Sequence, residues 1–551
     1  MINHVERKCV VFQKEAIREL DVVIVGAGFG GIAALRRMTK DLGLDAIVID
    51  KAPGIGGTWY WNRYPGALSD TQSFMYQLPF EEELYHATNW TMRYVTGPEI
   101  RQYLEDAVDM WQLRSKFELE TELRSATFDE DSQTWLLETD RGRLRSRFLI
   151  TALGLLSRLN IPSFPGIENF KGRVAHTADW PEGLDVAGKR VAVIGNGSTG
   201  VQFLTEAAKS VKHLTSFQRT AQYSIPAGNR AWTPEEMGEF KARCQERWEE
   251  FRRVKLGFGI DEEYERGTFS VSAEEREAIF EAAWQKGGNY TFINETFCDV
   301  YENRDANDEA ANFIRRKIAQ TVKDPETARK LTPSEVFARR PITDSGYFEI
   351  FNQPNVTLVA TGENPIKEFT EQGIVTEDGT FHELDVLVLA TGFDAVDGSY
   401  RGLNIVGRRG ESLNEHWSEG PRSHLGMTVS GFPNMFMILG PNGPFVNNPP
   451  AIGIQAQWIS QTIATVMNTP GASIELSPET EAAWLQRCLD ALEGSLFLET
   501  GSWIFGSNIP GKRKPRTANF FVAGLDQFIE TAETEIAQGY PGYQIHVPAT
   551  A

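Results

Sequence analysis

The stretch DVVIVGAGFGGIAAL, residues 21–35, decides the fold at the start of this chain. An apolar run precedes three spaced glycines and a second apolar run follows them, which predicts a strand, a tight turn and a helix. Gly26, Gly28 and Gly31 allow the backbone to approach a pyrophosphate, and the helix N-terminus offers it unpaired N–H groups. The stretch therefore predicts a dinucleotide-binding unit.

A second stretch, RVAVIGNGSTGVQFL at residues 190–204, repeats this pattern. Its glycines again follow an apolar run and precede a predicted helix, which is the arrangement expected of a dinucleotide-binding motif. The residues that we expect at the second nucleotide are Gly195, Gly197, Ser198, Thr199, Gly200 and Gln202. Two copies predict an α/β protein with two Rossmann-like dinucleotide-binding domains.

Equivalent positions in the two copies carry opposite charges. Asp50 and Arg219 each lie 24 residues after the first glycine of their fingerprint, at the end of a predicted second strand. A carboxylate at this position binds a ribose diol, whereas an arginine accepts a 2′-phosphate. Asp50 therefore predicts an FAD site, and Arg219, followed by Thr220, predicts an NADPH site.

Composition narrows the class of protein. The chain has 551 residues, a formal charge of −20 and 41% apolar residues, which suits a large enzyme and argues against nucleic-acid binding. No apolar stretch is long enough to span a bilayer, and the first twenty residues lack a signal-peptide core, so we expect a cytoplasmic protein without membrane partners. The four cysteines form no Cys-x-x-Cys pair and no cluster with histidine at metal spacing. We therefore expect no metal and no disulfide reductase.

Changes of pattern along the chain predict its domains. We expect an FAD-binding domain from residues 1–155 and 386–551 and an NADPH-binding domain from residues 156–230 and 332–385. Charged helical patterns without strand character fill residues 231–331 and predict a helical insertion in the NADPH domain.

A third motif carries a resemblance to a known family. Residues 170–181, FKGRVAHTADWP, fit the pattern F-x-G-x-x-x-H-x-x-x-W-P, and this region resembles the signature of the type I Baeyer–Villiger monooxygenases. GGTWYWNRYPG at residues 56–66 and ATGFD at residues 390–394 are also similar to that family. Within it, RPITDSGY at residues 340–347 and GPNGPF at residues 440–445 resemble the cyclohexanone monooxygenase branch.

The resemblance implies an enzyme that converts ketones and O2 to lactones or esters through a C4a-peroxyflavin, with NADPH as reductant. It implies the following FAD-binding residues, together with those of the first fingerprint: Asp50, Lys51, Gly57, Thr58, Trp59, Asp70, Tyr76 and Asp394. It implies Arg339 beside the NADPH phosphate, and a substrate pocket bordered by Phe445, Val446, Trp503 and Phe505. Arg339 stands where the family usually has lysine, which keeps the charge at the NADPH phosphate. Val446 and Asn448 depart from the family pattern beside the ketone pocket, so ring size and regiochemistry stay open.

Arg340 and Asp70 match the catalytic pair of the family. A guanidinium stays protonated and suits anionic species in a site that excludes water, and the carboxylate would orient it. His176 is the only histidine in a motif, and we interpret it as a hinge between the nucleotide domains rather than as a base.

Two alternatives remain at this point. A flavin monooxygenase of nitrogen or sulfur centres would not depend on Arg340, and a non-oxygenating NADPH-binding flavoprotein would form no oxygenated product. The sequence leaves the oligomeric state open, with a monomer favoured.

Overall fold

The computed structural model describes residues 17–78, 80–255, 265–501, 503–505 and 517–547, except for the side chain of Trp503. In this part of the chain the strands are β1 (Arg18–Val25), β2 (Ala46–Ile49), β3 (Phe117–Glu118), β4 (Leu123–Asp129), β5 (Thr134–Thr139), β6 (Gly142–Thr151), β7 (Arg173–His176), β8 (Arg190–Ile194), β9 (His213–Gln218), β10 (Ser224–Pro226), β11 (Ile342–Asp344), β12 (Val356–Ala360), β13 (Ile366–Thr370), β14 (Gly373–Thr376), β15 (Phe381–Glu383), β16 (Val386–Leu389), β17 (Asn404–Val406), β18 (Met435–Met437), β19 (Gly443–Pro444), β20 (Ser473–Leu476), β21 (Phe520–Phe521) and β22 (Tyr543–His546).

The α-helices in the same residues are α1 (Phe29–Arg36), α2 (Thr58–Trp61), α3 (Glu82–Ala87), α4 (Gly97–Met110), α5 (Ser198–Ala207), α6 (Pro234–Ala242), α7 (Cys244–Phe251), α8 (Ala273–Lys286), α9 (Asn289–Asn294), α10 (Arg304–Thr321), α11 (Pro325–Leu331), α12 (Leu413–His416), α13 (Asn448–Met467), α14 (Pro478–Asp490) and α15 (Leu525–Ala537). None of the helices in the described ranges is long and apolar enough to cross a membrane.

The first fingerprint lies at the centre of an eight-stranded sheet. The strand order is β17-β4-β5-β6-β1-β2-β3, and β18 also pairs with β6. β1 runs parallel to both β2 and β6, and its residues 22–24 are fully buried, as expected of a strand covered on both faces. The fingerprint thus leaves the sheet at the carboxyl end of a central strand, where α/β folds bind their ligands.

The second fingerprint belongs to a separate five-stranded parallel sheet. Its order is β12-β9-β8-β16-β7, and the fingerprint connects β8 to α5. Two Rossmann-like sheets, each with a glycine-rich turn at a carboxyl edge, confirm the predicted fold class.

One predicted boundary is wrong. The FAD-binding domain was expected to resume at residue 386, but β16 (Val386–Leu389) pairs with β8 and β7 of the second sheet. The chain returns to the first sheet with β17 and then with β18. β16 is a short, wholly buried apolar strand, and such a pattern does not indicate which of two parallel sheets the strand enters.

The helical segment predicted over residues 231–331 divides its packing between two cores. Cys244 and Phe251 of α7 join the core of the first sheet, together with partly buried side chains of α6. Phe280, Phe292 and Phe313, from α8, α9 and α10, join the core of the second sheet. The segment therefore contacts both nucleotide-binding regions.

Candidate active site

The first fingerprint turn has a backbone that only glycine accommodates. Gly26 has φ +114°, and a Cβ there would lie 2.3 Å from the carbonyl oxygen of Ala152. A Cβ on Gly31 would lie 1.8 Å from the carbonyl oxygen of Gly26, so the helix packs directly on the turn. Gly28 precedes α1, and no side chain caps the first turn of this helix. Its N–H groups remain available to an anion at the carboxyl edge of the sheet.

Asp50 is held by the backbone of this turn. Its Oδ2 accepts a hydrogen bond from the backbone N–H of Ala27 at 2.7 Å, and Oδ1 accepts one from Ala52 at 2.8 Å. Burial raises the pKa of the carboxyl, while these backbone bonds oppose the shift. The side chain therefore has a fixed position beside the fingerprint, where a ribose diol would bind.

The second fingerprint turn has the same backbone geometry as the first. Gly195 has φ +110°, and a Cβ there would lie 2.3 Å from the carbonyl oxygen of Ala390. A Cβ on Gly200 would lie 2.2 Å from the carbonyl oxygen of Gly195. A Cβ on Gly197 would meet no atom within 4 Å, and no side chain caps α5. The space at Gly197 is therefore open on the side from which a ligand approaches.

Arg219 is not held by its fingerprint turn in the way that Asp50 is. Asn196 of the turn instead donates from Nδ2 to Oε1 of Gln218 at 3.1 Å and to the carbonyl oxygen of Thr220 at 2.9 Å. These bonds hold the Gln218 side chain and the Thr220 backbone on either side of Arg219, whose own side chain is exposed. The guanidinium is thus presented outward, as a 2′-phosphate would require.

Side chains at the start of α5 extend to the segment at residues 64–70. Oε1 of Gln202 accepts a hydrogen bond from the Tyr64 hydroxyl at 2.6 Å, and its Nε2 donates to Oδ1 of Asp70 at 3.0 Å. Ser198 also bonds Asp70, and Thr199 bonds Tyr64. These three residues were predicted at NADPH. The structure places their side chains in contact with Tyr64 and Asp70, and their role at NADPH stays a prediction.

Asp70 and Arg340 form an ion pair where these segments meet. Nη2 of Arg340 lies 3.2 Å from Oδ2 of Asp70; the Asp70 side chain is 5% exposed and that of Arg340 30%. Burial raises the pKa of Asp70, and Arg340, Ser198 and Gln202 oppose this shift. The carboxylate is therefore buried, whereas the guanidinium keeps about a third of its surface exposed.

Tyr290 is a third polar group on Arg340 and was missed by the sequence analysis. It lies on α9 and makes a side-chain hydrogen bond with Arg340. Because a guanidinium only donates, the phenol oxygen accepts this bond. Burial lowers the pKa of Arg340, but Tyr290 and Asp70 outweigh this effect and hold it above its usual value. No sequence motif marks Tyr290, since its partner lies 50 positions away.

Two aromatic residues join the flavin fingerprint to this pair. Nε1 of Trp59 donates to the Tyr76 hydroxyl at 3.3 Å, and Tyr76 also packs edge-on against Phe29, the first residue of α1. Burial raises the pKa of Tyr76 to about 12, and Arg340 and Asp70 both act on it electrostatically. The structure thus brings predicted flavin residues and the predicted catalytic pair together.

The predicted pocket residues pack in the same core as Trp59 and Tyr76. Phe445 packs edge-on against Phe520, and Val446 and Phe505 join the same core. The side chain of Trp503 lies outside the described residues. Arg339 pairs with Glu335 at 2.6 Å.

The remaining residues that were predicted to bind FAD are Lys51, Gly57, Thr58 and Asp394. A Cβ on Gly28 would lie 3.4 Å from Cα of Gly57, so the loop before Thr58 covers the first fingerprint. Lys51 is exposed. Asp394 is 4% exposed, and its backbone N–H donates to the carbonyl oxygen of Arg158 at 2.8 Å.

His176 lies at the end of β7, beside the crossing between the two sheets. Its Nδ1 accepts a hydrogen bond from the backbone N–H of Ala178 at 3.1 Å, and its ring packs edge-on against Phe393. Burial lowers the pKa of His176, so the neutral ring is favoured. Both contacts hold the ring in place within the fold, which agrees with the interpretation of His176 as a hinge between the nucleotide domains.

The two turns fit FAD and NADPH by their chemistry. Each offers an uncapped helix N-terminus and glycines that admit no side chain, and the selecting residues are a fixed carboxylate and an exposed guanidinium. The cysteines in the described residues, Cys244, Cys298 and Cys488, are all free thiols. The arrangement thus lacks, in these residues, the paired thiol of a disulfide reductase.

Comparisons with known proteins agree with this chemistry. A family model described as pyridine nucleotide-disulphide oxidoreductase matches residues 23–255, which include both fingerprints. The chain is 45% identical to a Baeyer–Villiger monooxygenase of Pseudooceanicola batsensis, over 95% of each chain. It is 45% identical to a cyclohexanone 1,2-monooxygenase of Acinetobacter sp, over 96% of this chain and 97% of the relative. It is also 44% identical, over the same shares, to the phenazine N-monooxygenase PhzNO1 of Lysobacter antibioticus.

A solved structure gives the same result. The cyclohexanone monooxygenase of Rhodococcus sp. Phi1 bound to NADP+ superposes with a TM-score of 0.95 at 48% identity, and the match covers 97% of this chain and all of the other. The chain therefore belongs to the Baeyer–Villiger monooxygenases, flavoenzymes that use FAD and NADPH to insert one oxygen atom of O2 beside a ketone carbonyl.

Proposed function

We propose that this enzyme converts cyclic ketones to lactones, with Arg340 and Asp70 as its catalytic residues. The observation that carries the proposal is the ion pair between them, at 3.2 Å, in which the buried Asp70 is also bonded by Gln202 of the second fingerprint's helix. FAD, reduced by NADPH and exposed to O2, supplies the activated oxygen atom. The chain must supply the environment in which negative charge on oxygen is stable and water is excluded.

Arg340 stabilises that negative charge. Its guanidinium keeps its protons because Tyr290 and Asp70 outweigh the effect of burial on its pKa. A fixed donor aimed at a developing oxyanion contributes about 3–4 kcal/mol to transition-state stabilisation. The donors are arranged in advance, so little reorganisation is needed when the charge forms.

Asp70 orients the guanidinium. The carboxylate accepts hydrogen bonds from Gln202 and Ser198 and faces Arg340, so its own position is fixed by α5. A buried arginine without such a partner would be costly. We assign Asp70 the role of holding Arg340 in one position relative to FAD, while its contacts to α5 link that position to the NADPH-binding region.

The preference for a cyclic ketone is supported by the relatives and by the apolar character of the predicted pocket. A cyclohexanone 1,2-monooxygenase is among the most similar proteins, and Phe445, Val446 and Phe505 are apolar side chains packed on one core. One methylene in an apolar pocket changes specificity by only about 1–3 kcal/mol. We therefore expect activity on several ring sizes.

The direct test measures NADPH consumption and lactone together. Purified FAD-loaded enzyme with cyclohexanone should form ε-caprolactone in proportion to the NADPH consumed. Arg340→Ala should lower lactone formation at least about 100-fold while NADPH still reduces the flavin. Wild-type enzyme that consumes NADPH and releases only hydrogen peroxide with every ketone tested would contradict the proposal.

Nitrogen oxidation is the second candidate, because a phenazine N-monooxygenase is 44% identical to this chain. A nitrogen lone pair attacks activated oxygen directly and leaves no tetrahedral oxyanion for Arg340 to stabilise. Assays with phenazine and with cyclohexanone on wild type and Arg340→Ala separate the two functions. Phenazine oxidation that survives the substitution, without lactone formation by wild type, would favour the second candidate.

We also propose that the enzyme works as a monomer in the cytoplasm. The NADPH on which it depends is an intracellular reductant, and its charge of −20 opposes self-association. Most of the large apolar side chains that are exposed in the described residues, such as Ile161, Phe269 and Leu489, belong to separate segments. Light scattering on the FAD-loaded enzyme tests the monomer, and cell fractionation tests the location.

A further inference from the structure

Three metal-ligating side chains from distant parts of the chain meet outside the active site. Glu82 and His86 lie one turn apart on α3 and are both exposed, whereas Cys244 is buried at the start of α7. Sγ of Cys244 lies 3.8 Å from Nε2 of His86, which in turn lies 3.5 Å from Oε1 of Glu82. All three ligand atoms lie within 4.8 Å of one another.

We propose that Glu82, His86 and Cys244 form a zinc site. A thiolate, an imidazole and a carboxylate are the three ligand types that Zn²⁺ takes in proteins, whereas Mg²⁺ and Ca²⁺ prefer all-oxygen sets. Three protein ligands leave a fourth position for water, and the exposure of Glu82 and His86 gives water and metal access from solvent.

The separations of the ligand atoms suit a tetrahedral ion. Bonds of about 2.0–2.3 Å around zinc place neighbouring ligand atoms about 3.3–3.6 Å apart. The two measured neighbour distances, 3.8 and 3.5 Å, differ from this range by a few tenths of an ångström or less. The third separation, between Cys244 and Glu82, is at most 4.8 Å, and we expect rotation of the two exposed side chains on α3 to close the set.

Neighbouring groups orient the ligands and balance the charge. Nε2 of Gln245 donates to Oε2 of Glu82 at 3.2 Å, which directs the other carboxylate oxygen toward His86. Nζ of Lys241 donates hydrogen bonds to the carbonyl oxygen of His86 at 2.7 Å and to the side chain of Asn89. A thiolate and a carboxylate together neutralise Zn²⁺. Binding breaks the S–H bond of Cys244, forms a Zn–S bond and releases one proton to solvent.

Zinc at this place would tie two parts of the enzyme together. α3 belongs to the flavin-side region, and α7 lies in the helical segment that follows the NADPH fingerprint. Across this contact Phe240 of α6 stacks on Phe74 at 4.3 Å, two residues before Tyr76. A metal bridge from α3 to α7 would therefore fix the helices that pack beside the predicted flavin-contacting segment. The proposal concerns binding and stability and does not depend on the ketone proposed above.

The test uses FAD-loaded full-length enzyme in which Cys9 and Cys298 are replaced by serine, so that other thiols do not confuse the result. Zn²⁺ titration by calorimetry should show one site per chain. Zn²⁺ should raise the Tm of this protein, and Co²⁺ should give ligand-field bands beyond the flavin absorption.

Cys244→Ser and His86→Gln, each in this background, should weaken Zn²⁺ binding at least about 100-fold and abolish the Tm shift. Mutation of a residue that only hydrogen-bonds a zinc ligand already lowers metal affinity about 10–100-fold, and these two residues are ligands themselves. His86 is exposed, so His86→Gln tests the ligand without disturbing the core. Lys209→Gln, an exposed change on another element, is the control and should bind as the parent does. Uptake of zinc that is equal in both ligand variants and the parent, or no stoichiometric uptake by the parent, would overturn the proposal.

Discussion

The two fingerprint turns have the same backbone but hold their selecting residues in different ways. In both, the first glycine has a positive φ near 110°, a Cβ added there would lie 2.3 Å from a carbonyl oxygen, and the last glycine packs on the first. In the first turn the backbone N–H of Ala27 binds Asp50 directly. In the second, the Asn196 side chain binds the residues on either side of Arg219.

This difference follows from which side chain can accept a hydrogen bond. A carboxylate accepts from backbone N–H groups, so the turn itself can fix Asp50 beside the fingerprint. A guanidinium only donates, so the turn fixes the strand end and leaves Arg219 exposed. We therefore propose that the backbone provides a pyrophosphate site in both regions, and that one side chain decides whether a free ribose or a phosphorylated one is preferred.

The largest expected effect comes from the shared backbone. Gly31→Ala and Gly200→Ala each place a methyl group about 2 Å or less from a carbonyl oxygen, so the turn must open. We expect Gly31→Ala to yield protein without bound FAD and Gly200→Ala to yield yellow protein that NADPH no longer reduces. Flavin absorbance and anaerobic reduction by NADPH measure the two losses.

Gly197→Ala is the matched control for these variants. A Cβ there meets no protein atom within 4 Å, so the Tm should be unchanged while NADPH binding weakens because the methyl group occupies ligand space. If Gly197→Ala binds NADPH as wild type does, the proposed ligand position over this turn is wrong.

The second-largest effect is expected at Arg219, the residue of the second turn that we expect to select NADPH. Arg219→Ala removes a charged donor to the 2′-phosphate, a bond of about 1.5–3 kcal/mol, so the KM for NADPH should rise roughly 10–100-fold. NADH lacks this phosphate, and its KM should stay the same. The measurement is flavin reduction with both coenzymes, and Lys212→Ala, an exposed lysine before β9, is the control. Equal losses with NADH and NADPH would show that Arg219 does not read the phosphate.

The sequence predicted most reliably what depends on local pattern. Both βα units and the helices within residues 231–331 follow from nearby residues, and the described part of the chain has each of them. It could not assign β16 to a sheet, because a buried apolar strand pairs equally well in either one. It also could not show that α6 and α7 pack on the first core while α8 to α10 pack on the second.

At the sites, the sequence mainly failed to predict contacts between residues that lie far apart in the chain. Ser198, Thr199 and Gln202 were predicted at NADPH from the motif, yet their side chains contact Tyr64 and Asp70. Cys244 and His86 are 158 positions apart, and the search for metal ligands by spacing did not join them. Motif spacing describes one element and its neighbour, whereas these contacts arise where separate elements pack.

The third effect asks whether the second region helps to hold the catalytic guanidinium. Asp70 contacts Arg340 from the flavin side, and Tyr290, whose helix α9 packs on the second core, contacts it as well. Tyr290→Phe removes one hydrogen bond to a charged group, so lactone formation should fall about tenfold and more NADPH should be lost to hydrogen peroxide.

A matched pair controls the Tyr290 experiment. Tyr223 also accepts a hydrogen bond from an arginine, Arg315, at 2.8 Å, but it was not predicted at the catalytic site. Tyr223→Phe should leave the ratio of lactone to peroxide unchanged. If both variants shift this ratio equally, Tyr290 acts through general stability and not through Arg340.

The smallest effect concerns the crossing between the two regions, where His176 lies. Burial lowers its pKa in the folded state, so below about pH 6.5 the unfolded chain binds a proton more readily than the folded one. The contribution of His176 to stability is therefore fully present above pH 6.5 and declines as the pH falls. His176→Asn keeps an acceptor for the Ala178 N–H but does not titrate, so its Tm should fall less between pH 7 and pH 5.5 than that of wild type. Parallel Tm curves for the two proteins would show that folding does not change the pKa of His176, and this prediction would then be wrong.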